Sequence, residues 1–164
     1  MATKDYSNRQ ENMIARFLGW SVVTGSGAAA CHPGDIISDE WLGECKTHVE
    51  PGHKLYFSKA VWSKIKDEAA VKRRFPVLFT DDGSQKIDNT WCLLNCDQVD
   101  LDVYDLCPIT KGINVNISFD HIKMLEIYKQ HKRGKGKPIA LCANWHNESV
   151  AIVPLDTFYD MVVD

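Results

Sequence analysis

Asp35, Glu44 and Lys46 are the residues whose types and spacing suit chemistry. Gly34-Asp35-Ile36-Ile37 reads as a short strand edge, and Gly43-Glu44-Cys45-Lys46 as the next strand after a tight turn. Side chains on a strand alternate faces, so Glu44 and Lys46 share one face while Gly43 and Cys45 take the other. A hairpin brings Asp35 to that first face. Two carboxylates and one ammonium then converge, the smallest kit that holds a divalent cation and a water against a phosphodiester. Mg²⁺ takes oxygen ligands and keeps several of its waters, so one or two carboxylates suffice. The cation lowers the pKa of water and offsets charge on phosphoryl oxygens. A lysine beside the glutamate orients that water or meets the developing anion.

These residues need elements to position them. Ser7-Asn8-Arg9-Gln10 has the pattern of a capping box, which predicts a helix running to Leu18 and stopping at Gly19. Its apolar stripe holds Met13, Ile14, Phe17 and Leu18, and Glu11 falls on or beside that stripe. An inward carboxylate is costly without a partner, and a shared cation would be one. Between helix and strand, Gly25-Ser26-Gly27-Ala28 offers the Ser26 hydroxyl and its neighbouring N–H groups to a phosphate, or is simply a loop tip.

The order Glu11, Gly/Ser loop, Asp35, Glu44, Lys46 resembles the PD-(D/E)xK nuclease superfamily, with Gly34-Asp35 standing where Pro-Asp is usual. The interval from Glu11 to Asp35 is similar to that in archaeal Holliday-junction resolvases. The resemblance covers residues 7–99. It implies an α/β fold with a restriction-endonuclease-like mixed β-sheet flanked by helices. It also implies hydrolysis of DNA, of branched form in that subgroup, with Mg²⁺ as cofactor and Mn²⁺ as a substitute. By the resemblance, Asp35 and Glu44 ligate the metal with support from Glu11, and Lys46 completes the catalytic set. A resolvase cuts two strands, so a homodimer follows from that activity. Two alternatives remain beside it: another nuclease of the same type (end-processing or restriction-type), and a non-catalytic DNA- or protein-binding module on a nuclease-like fold. The bare motif also fits a solvated hairpin with a surface ion pair.

At 164 residues and 45% hydrophobic content, the chain is long and apolar enough for a substantial core. No apolar run reaches membrane-spanning length and no signal-peptide pattern opens the chain, so a cytoplasmic protein is expected. Six cysteines without a secretory signal read as small buried residues rather than a disulfide framework. Cys31-His32 and Cys45-x-x-His48 supply zinc-type ligands but no paired C-x₂-C, which disfavours zinc.

A net charge of −3 argues against nucleic-acid binding by the whole surface, so the distribution of cations matters. Lys72-Arg73-Arg74 is what a helix C-terminus attracts. Lys132, Arg133, Lys135 and Lys137, interleaved with glycines, exceed what a C-cap requires and read as a phosphate-contacting loop. Asp97, Asp100, Asp102 and Asp105 are expected to stay away from DNA, on an edge strand whose inward residues are Val99, Leu101 and Val103.

Shifting the sequence by 62 residues exposes an internal repeat: Cys45 falls on Cys107, Leu55 on Ile117, Phe57 on Phe119, Pro76 on Pro138. At a shift of 59, Trp91-Cys92-Leu93-Leu94 falls on Val150-Ala151-Ile152-Val153. Each unit reads as strand, capped amphipathic helix, strand, turn, strand. The expected division is a nuclease core over 1–99 and a βαββ half-repeat over 100–164, which extends the sheet or forms an oligomer or DNA surface. In that alignment Leu106 takes the place of Glu44 and Pro108 that of Lys46. The helix stripes are Val61, Trp62, Ile65, Ala69 and Ile122, Leu125, Ile127, Tyr128. Convergence of two βαββ units explains the same pattern without duplication.

Overall fold

The structure is a computed structural model that describes residues 3–23, 34–49, 51–52, 54–133 and 136–163, with the side chains of 3–4 and 131–133 excepted. The chain is mixed α/β. Its elements are α1 (Thr3–Leu18), β1 (Ser21–Val22), β2 (Ile36–Ile37), β3 (Trp41–Lys46), β4 (Leu55–Phe57), α2 (Lys59–Lys72) and β5 (Phe75–Asp81). They continue as β6 (Thr90–Asn95), β7 (Asp105–Pro108), β8 (Ile117–Phe119), α3 (His121–Arg133), β9 (Ile139–Trp145), β10 (Glu148–Pro154) and α4 (Leu155–Val162). An eight-stranded sheet runs β1-β2-β3-β5-β6-β10-β9-β7, and β4 pairs with β8 in a separate ribbon. No helix among the described residues is long and apolar enough to cross a membrane.

The sheet has a core on each face. One core holds Trp62, Ile65 and Ala69 of α2, Tyr128 of α3 and the ribbon residues Phe57 and Phe119 against Leu78, Leu93 and Ile152. The other holds Ile14 and Leu18 of α1 and Phe158 of α4 against Phe79, Cys92 and Ala151. Strands covered on both faces read as continuous apolar runs, which is why β5, β6 and β10 lack polar alternation.

Three local expectations need correction. The first helix starts at Thr3, so Ser7 lies inside it and caps nothing. Its first turns are extended because they dock on the turn after β5: the Tyr6 hydroxyl donates to Gly83 O, and Gln85 Nε2 donates to Tyr6 O. Residues 99–103 form no strand. Asp100 folds them into a turn, its Oδ1 accepting from Asp102 N (2.9 Å) and its carbonyl from Tyr104 N (2.9 Å). Leu101 and Val103 are therefore exposed, and the strand begins at Asp105. On α3, Ile122 and Ile127 are exposed, while Met124, Leu125 and Tyr128 face the core.

The pairing of β3-β5-β6 and β7-β9-β10 is two-fold symmetric about the β6–β10 pair. Each β3 residue pairs in parallel with the residue 34 positions later, Trp41 with Phe75, and β7 does the same with β9, Asp105 with Ile139. Both units then close with an antiparallel partner, β6 or β10, and these two strands meet at Leu93–Ile152. The ribbon meets at Tyr56–Ser118. The register refines the correspondence. Leu78 pairs with Leu93, and Leu141 pairs with Ile152, so Leu78 answers to Leu141, 63 positions on. A shift of 62 would match Leu78 to Ala140, which packs in the opposite core. The ribbon keeps 62, whereas β3, α2 and β5 follow 63, with Trp62 answering to Leu125 and Ile65 to Tyr128. Cys107 therefore takes the place of Glu44, and Ile109 that of Lys46, rather than Leu106 and Pro108.

Candidate active site

The β2–β3 hairpin aligns Ile36 with Gly43, which sets Asp35 beside Glu44. Asp35 N donates to Gly43 O (2.8 Å), and Asp35 Oδ2 accepts from Cys45 N (2.8 Å). The carboxylate is thus fixed by the very strand that carries Glu44. Gly34 makes the entry possible. Its φ of 68° is left-handed, an added Cβ would meet Leu42 Cδ1 at 2.8 Å, and its N–H donates to Glu68 Oε2 (2.7 Å). Proline has a fixed negative φ and no N–H, so glycine here is a requirement of this turn.

Glu44 sits mid-strand between β2 and β5 and is buried. Two residues on, Lys46 is half-exposed, with Nζ 3.6 Å from Glu44 Oε1. From α1, Gln10 is fully buried and its Nε2 donates to Lys46 O (2.7 Å), pinning the end of β3. Glu11, the next residue, is half-buried and reaches the same edge. Burial pushes its carboxyl up to about 7, and the charges of Asp35 and Glu44 add to the rise while Lys46 opposes it. Burial likewise lifts Glu44 to about 6, with Asp35 contributing and Lys64 and Lys46 opposing. Asp35 is raised by burial, partly offset by the bond from Cys45 N and the charges of Lys46 and Lys64. Cys45 points into the core among Ile14, Phe79 and Cys92, away from Glu44.

Glu11, Asp35, Glu44 and Lys46 are thus near enough for their charges to act on one another. Three participants were not legible. Gln10 looks like a capping residue in sequence. Lys64 and Glu68 look like a surface i,i+4 pair on α2, and they do pair at 3.5 Å. In the fold Glu68 also holds the Gly34 turn, and Lys64 lies close enough for Glu44 to be the main cause of its raised pKa. The one available signal was their shared helical face one and two turns past Ala60, toward β3.

Of the basic-loop residues, Lys137 stands away from this site. Lys137 leads into β9, four strand positions from β3, and its Nζ donates to Leu101 O (3.1 Å). Lys132 and Arg133 end α3, and nothing is described of their side chains; Lys135 and Ser26 lie outside the described residues. Cys31 and His32 do too. Among the described residues no three His, Cys, Asp or Glu side chains form a ready metal cage. The carboxylates still suit a hard cation that keeps most of its water. They are all oxygen donors, and their mutual repulsion is what a divalent charge relieves.

Comparison with known proteins finds no match to a family model, to a curated protein or to a solved structure.

Proposed function

We propose that this protein is a metal-dependent DNA endonuclease of PD-(D/E)xK type, built on the restriction-endonuclease-like form of the α/β fold and selective for branched DNA. The observation that carries this reading is the meeting of Glu11, Asp35 and Glu44, from three different elements, with the ammonium of Lys46 within 3.6 Å of Glu44. Burial leaves these carboxyls short of compensation, a state that stabilises nothing by itself and suits cation binding.

In this reading Asp35 and Glu44 hold Mg²⁺ or Mn²⁺, with Glu11 in support. When bound, the cation lowers the pKa of water and offsets charge on the phosphoryl oxygens. Lys46, half-exposed, presents its ammonium to the phosphate and meets charge that builds there. Lys64 adds a second positive charge from α2. Gln10 keeps Lys46 in place by holding its carbonyl. Cutting both strands of a junction calls for a homodimer, because each chain carries one such set. Residues 100–164 are a half-repeat without the chemistry, since Cys107 and Ile109 pack toward the core where Glu44 and Lys46 stand in the first unit. Its role is to extend the sheet.

The test is cleavage of labelled four-way junction, flap, linear duplex and single strand with Mg²⁺ or Mn²⁺, comparing wild type with Glu44→Gln and Lys46→Met. Paired symmetric junction cuts, reduced at least about 100-fold in both variants, are expected from the loss of transition-state stabilisation. No metal-dependent cleavage by folded wild type defeats the proposal.

A further inference from the structure

A cavity of about 510 Å³ opens at the end of the sheet between α3 and α4. That volume is typical of small-molecule sites. It shares no lining residue with the carboxylate site, and β10, which forms part of its wall through Pro154, is three strand positions from β3, or about 14 Å. Its interior is aromatic and aliphatic: Tyr104 and Tyr128 are both buried, and Leu125 and Ile139 complete the wall. Its mouth is acidic. Asp88, Asp156 and Asp160 line it, exposed, against the single cation Lys129.

Two independent observations point to a ligand there. Tyr128 is 9% exposed, lines the cavity, and its hydroxyl has no hydrogen-bond partner in the protein. A buried hydroxyl left unpaired is costly, so one in a cavity wall is explained by a group that enters the cavity. The second is charge close to aromatic rings. Burial raises the Tyr104 phenol and Asp160 raises it further; burial also raises Tyr128, with Tyr104 and Asp156 adding. Carboxylates and phenol rings therefore stand together at one opening, the combination that favours a cation with an apolar body over an anion or a neutral solute.

We propose that this cavity binds a small organic amine: a primary ammonium placed among Asp156, Asp160 and Asp88, an apolar body against Tyr104 and Tyr128, and a polar group meeting the Tyr128 hydroxyl. Asp156 already accepts from Thr157 N through Oδ1, which leaves Oδ2 for the ammonium. The inference does not depend on the nuclease reading.

Tyramine and its neutral counterpart tyrosol, in which a hydroxyl replaces the amine, make the decisive pair of probes. Isothermal titration on the full chain is expected to show saturable tyramine binding, with tyrosol at least tenfold weaker. In Asp156→Asn/Asp160→Asn the preference for tyramine disappears, and in Tyr128→Phe both probes weaken. Thermal unfolding checks that each variant is folded, and as these aspartates are exposed, their loss leaves the core intact. Equal binding of the two probes, binding of neither, or a tyramine preference that survives the double substitution overturns the proposal.

Discussion

If Glu11, Asp35 and Glu44 are gathered as described, the metal-free protein must lose stability as pH rises. Glu11 moves from 4.5 to about 7 and Glu44 from 4.5 to about 6. Both folded-state values lie above the unfolded ones, so the native state binds more protons than the unfolded state between about pH 4.5 and 7. Stability is then full below pH 4.5 and is lost as pH rises through 6 and 7. Each pH unit of displacement corresponds to about 1.4 kcal/mol. Glu11 is only half-buried and its part is discounted for solvent screening, which leaves a loss on the order of 2–3 kcal/mol. For a chain of this size that is a fall in Tm of roughly 4–12 °C. Differential scanning fluorimetry from pH 5 to 8 in EDTA measures it, with Glu11→Gln and Glu44→Gln as references because each removes one titrating group. Both variants flatten the profile, and both are more stable than wild type at pH 8. Adding 10 mM Mg²⁺ restores about 1–1.5 kcal/mol to wild type at pH 8 if binding is near-millimolar, and less at pH 5.5 where protons compete. Wild-type and Glu11→Gln profiles that run parallel across this range would refute the reasoning, since Glu11 would then not share a site with the other two.

Further outcomes follow from single contacts. Gln10→Leu leaves Lys46 O without its donor, and is expected to cost about 1–2 kcal/mol in chemical denaturation and to lower cleavage while leaving metal affinity in place. Gly34→Pro is expected to destabilise by more than about 2 kcal/mol by the same measurement, because the position needs both a left-handed φ and an N–H for Glu68. Gly43→Ala places a Cβ 2.6 Å from Phe79 Cε2 and is expected to cost about 1–3 kcal/mol, read as a lower Tm. Lys64→Gln removes a charge that lowers the pKa of Glu44, so the alkaline loss of stability steepens in fluorimetry and cleavage falls.

Much of this site is written in local pattern. Asp35, Glu44 and Lys46 lie within twelve residues on one hairpin, and strand alternation alone decides that Glu44 and Lys46 share a face while Cys45 turns to the core. Glu11 was legible because helical spacing puts it beside Ile14 and Leu18. What sequence could not supply was contact between distant elements. Gln10 fits a capping box perfectly well in isolation; only the docking of Tyr6 on the Gly83 turn moves the helix start to Thr3 and frees Gln10 to reach Lys46. Lys64 and Glu68 satisfy each other as a surface pair, and nothing in that spacing announces Gly34. The repeat was visible through Phe57–Phe119 and Pro76–Pro138, yet its register slipped by one residue in β3 and β5. Side-chain size matches nearly as well at 62 as at 63, and only pairing reveals which face each residue takes.

That register explains why a two-fold symmetric scaffold carries a one-sided site. In the first unit β3 is flanked on its outer side by β2 and β1, and α1 packs beside them. In the second, β7 is the outermost strand, and no strand among the described residues pairs with its free side. Asp35 comes from the approach to β2 and Glu11 from α1, so two of the three carboxylates belong to segments for which the second unit has no counterpart among the described residues. Restoring glutamate at Cys107 and lysine at Ile109 would therefore rebuild only the β3 portion of the constellation, with no Asp35 to face it and no Glu11 to share its charge. Asymmetry in the proposed chemistry follows from what precedes the repeat, not from decay of two residues within it. The Cys107→Glu/Ile109→Lys double variant tests this: it should put a charged pair into a partly buried apolar position, lower Tm, and create no second cation-dependent stabilisation.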